Sequence, residues 1–190
     1  FADELAAILH WSFEYMQRDG SGPGEEQNWL RDEKGGSVYL RLSTVPLDQP
    51  QREMDADLAR QVIDGGYWLR KPGPATTVAI AYTGVVAPEA IRAAGLLAEG
   101  MRDVGVLAVT SADRLNAGWQ AAERARQRGQ HDAQAHVEHL LSLVPRDAGL
   151  VTVADGHPAG LSWLGGVVGH RVKSLGVEHF GQAGTVEDVY

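Results

Sequence analysis

Apolar residues recur at helical spacing at the start of the chain. Leu5, Ile8, Leu9, Phe13 and Met16 fall on one stripe, which predicts a helix over 2–18 with that stripe buried. Three glycines and a proline in 19–24 end it in a loop. Positions 37–43 alternate, with Val38, Leu40 and Leu42 against Tyr39, Arg41 and Ser43, the pattern of a strand with two unlike faces. Pro46 and Pro50 then lie in a polar stretch, 45–57, with the composition of a linker.

Beyond it the pattern changes. Residues 67–70 read as a short extended segment and Pro72-Gly73-Pro74 as a turn. The β-branched and apolar run 76–82 predicts a buried strand. Pro88 suits a first helical turn, and Ile91, Ala94, Leu97, Ala98 and Met101 mark the buried stripe of the helix that follows. A strand at 104–110 comes next, then helices at 117–128 and 136–143, and a strand at 150–154. A small-residue helix at 160–168, a strand at 172–175 and a last helix starting near Thr185 complete the chain. Strands alternating with helices of this length predict a three-layer α/β fold, with about five mostly parallel strands and helices on both faces. Residues 1–45 read as the last helix and strand of a preceding α/β domain. The expected organisation is therefore 1–57, the end of one domain plus linker, and 58–190, a whole second domain.

Composition narrows the chemistry. The 190 residues carry 25 acidic and 17 basic side chains, a net charge of −8, which argues against a general nucleic-acid binder. There is no cysteine, so disulfides, zinc–thiolate sites and thiol nucleophiles are excluded, and a cytoplasmic location is expected. No stretch reaches the roughly 18–20 apolar residues that span a bilayer, so no membrane association is expected. The chain opens without Met inside a helical pattern and ends soon after another helix starts. Both ends suggest a piece of a longer protein.

Few motifs carry chemistry. Gly20-Ser21-Gly22-Pro23-Gly24 looks like a phosphate cradle, but a helix precedes it and Pro23 removes a donor, which favours a surface loop. His131, His136 and His139 include an i, i+3 pair that could hold a metal, yet their polar surroundings favour a solvated helix face. Asp113 and Asn116 flank a helix start, where such residues cap. That place also follows a parallel strand, where α/β domains put ligands, and both readings stand. Trp68, Trp119 and Trp163 read as core or interface residues. Two loops after predicted strands are the most suggestive. In Asp155-Gly156-His157-Pro158, His157 could serve as acid, base or donor, or simply ride on a turn shaped by Gly156 and Pro158. The second is His179-Phe180-Gly181-Gln182-Ala183-Gly184-Thr185, with Thr185 as a candidate N-cap.

The run Val151-Thr152-Val153-Ala154-Asp155-Gly156, with Trp163-Leu164-Gly165 and then Leu175-Gly176-Val177-Glu178-His179-Phe180-Gly181-Gln182-Ala183-Gly184-Thr185, resembles the C-terminal domain of the transketolase superfamily. The segment 105–111 with Leu115 and Trp119 looks closest to the single-chain, homodimeric pyruvate dehydrogenase component, and true transketolases are the runner-up. The resemblance implies one antiparallel strand in the sheet and, for 1–50, the end of a pyrimidine-binding domain. It also implies a parent enzyme that uses thiamine diphosphate and Mg. The family's Gly-Asp-Gly…Asn-Asn motif is not matched: Ala154 precedes Asp155-Gly156, and Asn28 and Asn116 are the only asparagines. No cofactor, metal or catalytic residue is therefore assigned here.

The implied parent decarboxylates a 2-oxo acid or, in the runner-up reading, transfers a two-carbon ketol unit. This portion is expected to be inactive alone and to serve subunit assembly and active-site shaping. A non-catalytic interaction domain is the alternative from another class. Expected partners are a second copy, other domains of the parent chain and further subunits of a 2-oxo acid dehydrogenase complex. The candidate substrate or subunit-interface loops are Asp155, Gly156, His157, His179, Phe180, Gly181 and Gln182.

Overall fold

The computed structural model describes residues 1–20, 34–100 and 103–179. Helix α1 (Ala2–Met16) opens the chain. An irregular extended segment follows, and then α2 (Ala56–Asp64), β1 (Gly66–Arg70), β2 (Val78–Thr83), a 3₁₀ turn (Gly84–Val86) and α3 (Ala87–Gly100). The remainder is β3 (Val104–Val109), α4 (Ala112–Gln127), α5 (His136–Ser142), β4 (Gly149–Ala154), α6 (Ala159–Ser162), α7 (Leu164–Val168) and β5 (Arg171–Leu175).

The five strands form one sheet in the order β1-β3-β2-β4-β5. β2, β3, β4 and β5 are parallel, and β1 runs antiparallel to β3 with Gly66 opposite Val109. This is the expected α/β architecture, including the antiparallel edge. β3 is buried at every position, because both faces are covered, and so it reads as an unbroken apolar run.

Side chains alternate across the sheet into two cores, one under each helical layer. Ala79, Ala81, Leu107, Val109 and Leu150 meet Leu115, Leu140, Leu141, Leu161 and Leu164 of α4, α5, α6 and α7. Ile80, Tyr82, Val104, Val106 and Ala108 meet Ala87, Ala90 and Ala94 of α3 and Val62 of α2, with Ile8 of α1 packed at the margin. Trp68 lies in the first core, its indole N–H donating to the Leu140 carbonyl at 3.1 Å. Trp119 and Trp163 stack with centroids 5.7 Å apart. All three tryptophans are thus packing residues.

Several sequence expectations are corrected. The strand expected at 37–43 does not form: the segment is extended but joins no ladder, and Tyr39 is 88% exposed. Alternation supplies a strand's faces but not the neighbouring backbone that a ladder requires. The stretch 45–57 is linker-like only as far as Asp55, whose side chain accepts the Leu58 N–H and starts α2. In α1 the stripe is only partly buried: Ser12 and Tyr15 are enclosed, while Phe13 and Met16 face outward. The apolar arc of α1 is wider than the surface it meets. α4 begins at Ala112 because Ser111, and not Asp113, caps it, accepting the Arg114 N–H. In α3 the enclosed residues are Ala87, Ala90 and Ala94, whereas Ile91 is 40% exposed. The helix expected at 160–168 divides at Trp163 into α6 and α7. The helix expected near Thr185, residues 21–24 of the glycine-rich loop and Met101 lie outside the described residues.

Candidate functional site

The topology fixes where a site would form. β2 leads through α3 to β3 on one side, and β4 leads through α6 and α7 to β5 on the other. Neighbouring strands whose connections depart in opposite directions leave a crevice at their carboxyl ends. Here that crevice lies where Thr83 pairs with Ala154. A cleft of about 790 Å³ opens at this edge, between α1, the extended segment 39–49 and the ends of β2 and β3, and Asp155 lies on its wall.

Among the described residues, Asp155 is the one predicted loop residue that lines the cleft. Arg41, from the segment that failed to become a strand, reaches over to it. Its Nη2 donates to Asp155 Oδ2 at 3.0 Å and its Nη1 to the Asp155 carbonyl at 2.7 Å. His157 is exposed, and its Nδ1 accepts the Ala159 N–H at 3.2 Å. The ring therefore trims its own turn and does not line the cleft. The stretch just ahead of the second loop meets the first: Val177 N–H donates to the Gly156 carbonyl at 2.8 Å. Gly176 permits this approach, since a Cβ there would collide with the Gly156 carbonyl and lie 3.0 Å from Pro158 N. His179 is exposed. Phe180, Gly181 and Gln182 lie outside the described residues.

The inner end of the cleft abuts a charged network that patterning did not reveal. Arg52 donates from Nε to Asp3 Oδ2 at 2.6 Å, from Nη2 to Asp3 Oδ1 at 3.1 Å, and from Nη1 to the Tyr67 hydroxyl at 2.6 Å. Tyr67 in turn donates to Glu4 Oε1 at 2.5 Å. Burial alone would raise the Asp3 pKa, but the Arg52 guanidinium and the Glu4 N–H outweigh it and hold the carboxyl low. Burial and the Glu4 carboxylate push the Tyr67 and Tyr82 hydroxyls up, so both stay neutral. Arg52 keeps its charge despite burial because Asp3 and Tyr67 hold it. Arg41 and Arg52 lie in segments whose patterns read as strand and linker and assign them no partner. Their partners lie 114 and 49 positions away, a separation that no local pattern records.

Among the described residues there is no cluster of three or more His, Asp or Glu side chains able to hold a metal ion. His136 is engaged otherwise, its Nε2 donating to the Gly66 carbonyl at 2.7 Å, which ties α5 to β1. No helix among them is long and apolar enough to cross a membrane.

Sheet order, antiparallel edge and covered faces together define a three-layer α/β domain, consistent with the transketolase C-terminal-like fold that the sequence resemblance implies. No protein-family model matches the sequence. The chain is similar to the pyruvate dehydrogenase E1 component of Mycolicibacterium smegmatis, 31% identical over 191 residues. That match takes in 97% of this chain but 19% of the relative, so the chain spans about a fifth of the relative's length.

Proposed function

We propose that this chain is the C-terminal part of a thiamine-diphosphate-dependent 2-oxo acid dehydrogenase of the pyruvate dehydrogenase type. The similarity along 97% of the chain to a pyruvate dehydrogenase E1 component carries this reading, and the sheet order supports it. On this reading residues 1–57 are the end of the preceding domain. The parent is a cytoplasmic homodimer that works beside other subunits of a 2-oxo acid dehydrogenase complex.

In such a parent the cofactor supplies the carbanion chemistry that decarboxylates the 2-oxo acid. The described residues do not fit a magnesium–diphosphate site. They hold no cluster of three metal-binding side chains, and two of the three cleft carboxylates, Glu4 and Asp155, are engaged by Tyr67 and Arg41. The work left to this chain is positional. The sheet holds the 155–158 and 176–179 loops together through the Val177–Gly156 bond, and these loops then shape a subunit interface or the approach to a neighbouring active site. Exposed apolar residues on α1 and on the extended segment, among them Phe13, Tyr39 and Leu42, offer surface for association.

Calorimetry with thiamine diphosphate and Mg, and light scattering of the same chain, test this reading. The expected result is no saturable cofactor binding together with self-association at high concentration. Magnesium-dependent cofactor binding by the chain alone, or a clean monomer at every concentration, would count against it.

A further inference from the structure

We propose that Asp155 is a modification site, where the backbone isomerises slowly to isoaspartate under the restraint of Arg41. The reaction requires the amide nitrogen of the following residue to reach the aspartate Cγ. Glycine in that following position leaves the approach open, because it carries no Cβ. The chain has three Asp-Gly steps, at 19–20, 64–65 and 155–156. The first borders residues outside the described ones. The other two sit in opposite surroundings. Gly65 is buried at the end of α2 with φ +110°, and its N–H donates to the Gln61 carbonyl at 3.1 Å and to the Val62 carbonyl at 3.3 Å. That nitrogen is committed to the helix end and cannot turn to the Asp64 carboxyl while α2 stands.

Asp155 instead is exposed in the bend after β4, and the Gly156 N–H donates to no acceptor among the described residues. A Cβ at 156 would meet only the Arg41 guanidinium, at 3.9 Å, so packing does not hold this step. Arg41 holds it, gripping the Asp155 carboxylate through Nη2 at 3.0 Å and the Asp155 carbonyl through Nη1 at 2.7 Å. The two bonds fix the side chain against its own main chain and restrain Cγ from swinging to the Gly156 nitrogen. The pair is exposed and therefore weak, so it opens without any unfolding of the sheet.

In the open state the Gly156 nitrogen attacks Asp155 Cγ. One carboxyl oxygen leaves as water, taking the amide proton and the carboxyl proton, and a five-membered succinimide remains. One water then adds back. Cleavage of the new N–Cγ bond restores aspartate. Cleavage of the old N–C bond leaves the chain running through Cγ, one methylene longer. The overall mass is unchanged, and no oxidant or cofactor takes part. The longer link displaces the Gly156 carbonyl from its 2.8 Å bond with the Val177 N–H, which frees the 155–158 turn from the stretch after β5.

The test is incubation of the 190-residue chain at neutral pH, folded and in urea, followed by tryptic mapping for isoaspartate. Trypsin separates the two steps: cleavage after Arg60 and Arg70 isolates 64–65, and cleavage after Arg146 and Arg171 isolates 155–156. Isoaspartate is expected at 155 and not at 64 in the folded chain, and at both in urea. A transient form of the 155–156 peptide, lighter by one water, marks the succinimide. Arg41→Ala should raise the rate at 155 by up to about fivefold, the limit set by an exposed pair, with little change in melting temperature. Gly156→Ala, for which there is room, should suppress the reaction. No isoaspartate at 155 in the folded chain, equal conversion at 64, or a rate at 155 that neither variant alters would overturn the proposal.

Discussion

Replacing Arg52 by Met tests the network that fastens α1 to the sheet. The guanidinium is bidentate to Asp3 at 2.6 and 3.1 Å, reaches Tyr67 at 2.6 Å, and lies 4.9 Å from the Tyr67 ring centroid. Its side chain is 16% exposed, against 26% for Asp3 and 12% for Glu4. Met keeps much of the aliphatic volume but leaves the part-buried Asp3 carboxylate without its guanidinium, while Glu4 keeps the Phe1 amine and the Tyr67 hydroxyl. Removing one partner from a buried pair costs about 3–5 kcal/mol. Solvent screening at Asp3 trims this to about 2–3 kcal/mol, or roughly 5–10 °C in melting temperature for a chain of this size. Asp3 has a lowered folded-state pKa, so its contribution is fully present above the ordinary carboxylate pKa, about 3.9. It is lost as pH falls through the lower folded value. The penalty of Arg52→Met should therefore be full at neutral pH and shrink in acid. Urea unfolding followed by circular dichroism at neutral and acid pH reads both effects. A penalty below about 1 kcal/mol at neutral pH, or one that does not shrink in acid, would refute the reasoning.

Other substitutions probe other parts. Gly65→Ala should cost about 2–4 kcal/mol in chemical denaturation, because φ is +110° and its Cβ would sit 2.6 Å from the Ser111 carbonyl. Leu141→Ala, at a position with no exposure, should cost about 2–5 kcal/mol by the same assay. Trp68→Phe should cost about 1–3 kcal/mol, since the Leu140 carbonyl loses its indole donor inside the core. Arg41→Ala should change stability by less than about 1 kcal/mol, because the pair with Asp155 is 68% and 47% exposed. A larger loss in thermal melting would mean that the extended segment is held more firmly than this pair explains.

The sheet was legible because its central strands, β2, β3 and β4, are mostly apolar, β-branched runs separated by helix-length segments. Val104–Val109 and Gly149–Ala154 could hardly be read otherwise. Helix α2 was missed because its short polar sequence, ADLARQVID, hides behind two prolines, and the Asp55 cap was its only clear signal. The unpaired segment at 37–43 shows the opposite failure, for alternation describes side-chain faces and is silent on whether a neighbouring strand exists. The loop at Asp155 was found from its place after a strand. The cleft itself was not, because Arg41, Glu4, Arg52 and Tyr82 converge only through the fold.

The most direct measurement joins the chain to its parent. Pyruvate decarboxylation with thiamine diphosphate and Mg can be assayed on the complete protein and on a form lacking these 190 residues, with sedimentation of both. The account predicts an active dimer for the first and loss of both dimer and activity for the second. A complete protein that decarboxylates no 2-oxo acid, or a truncated form that remains dimeric and active, would contradict it.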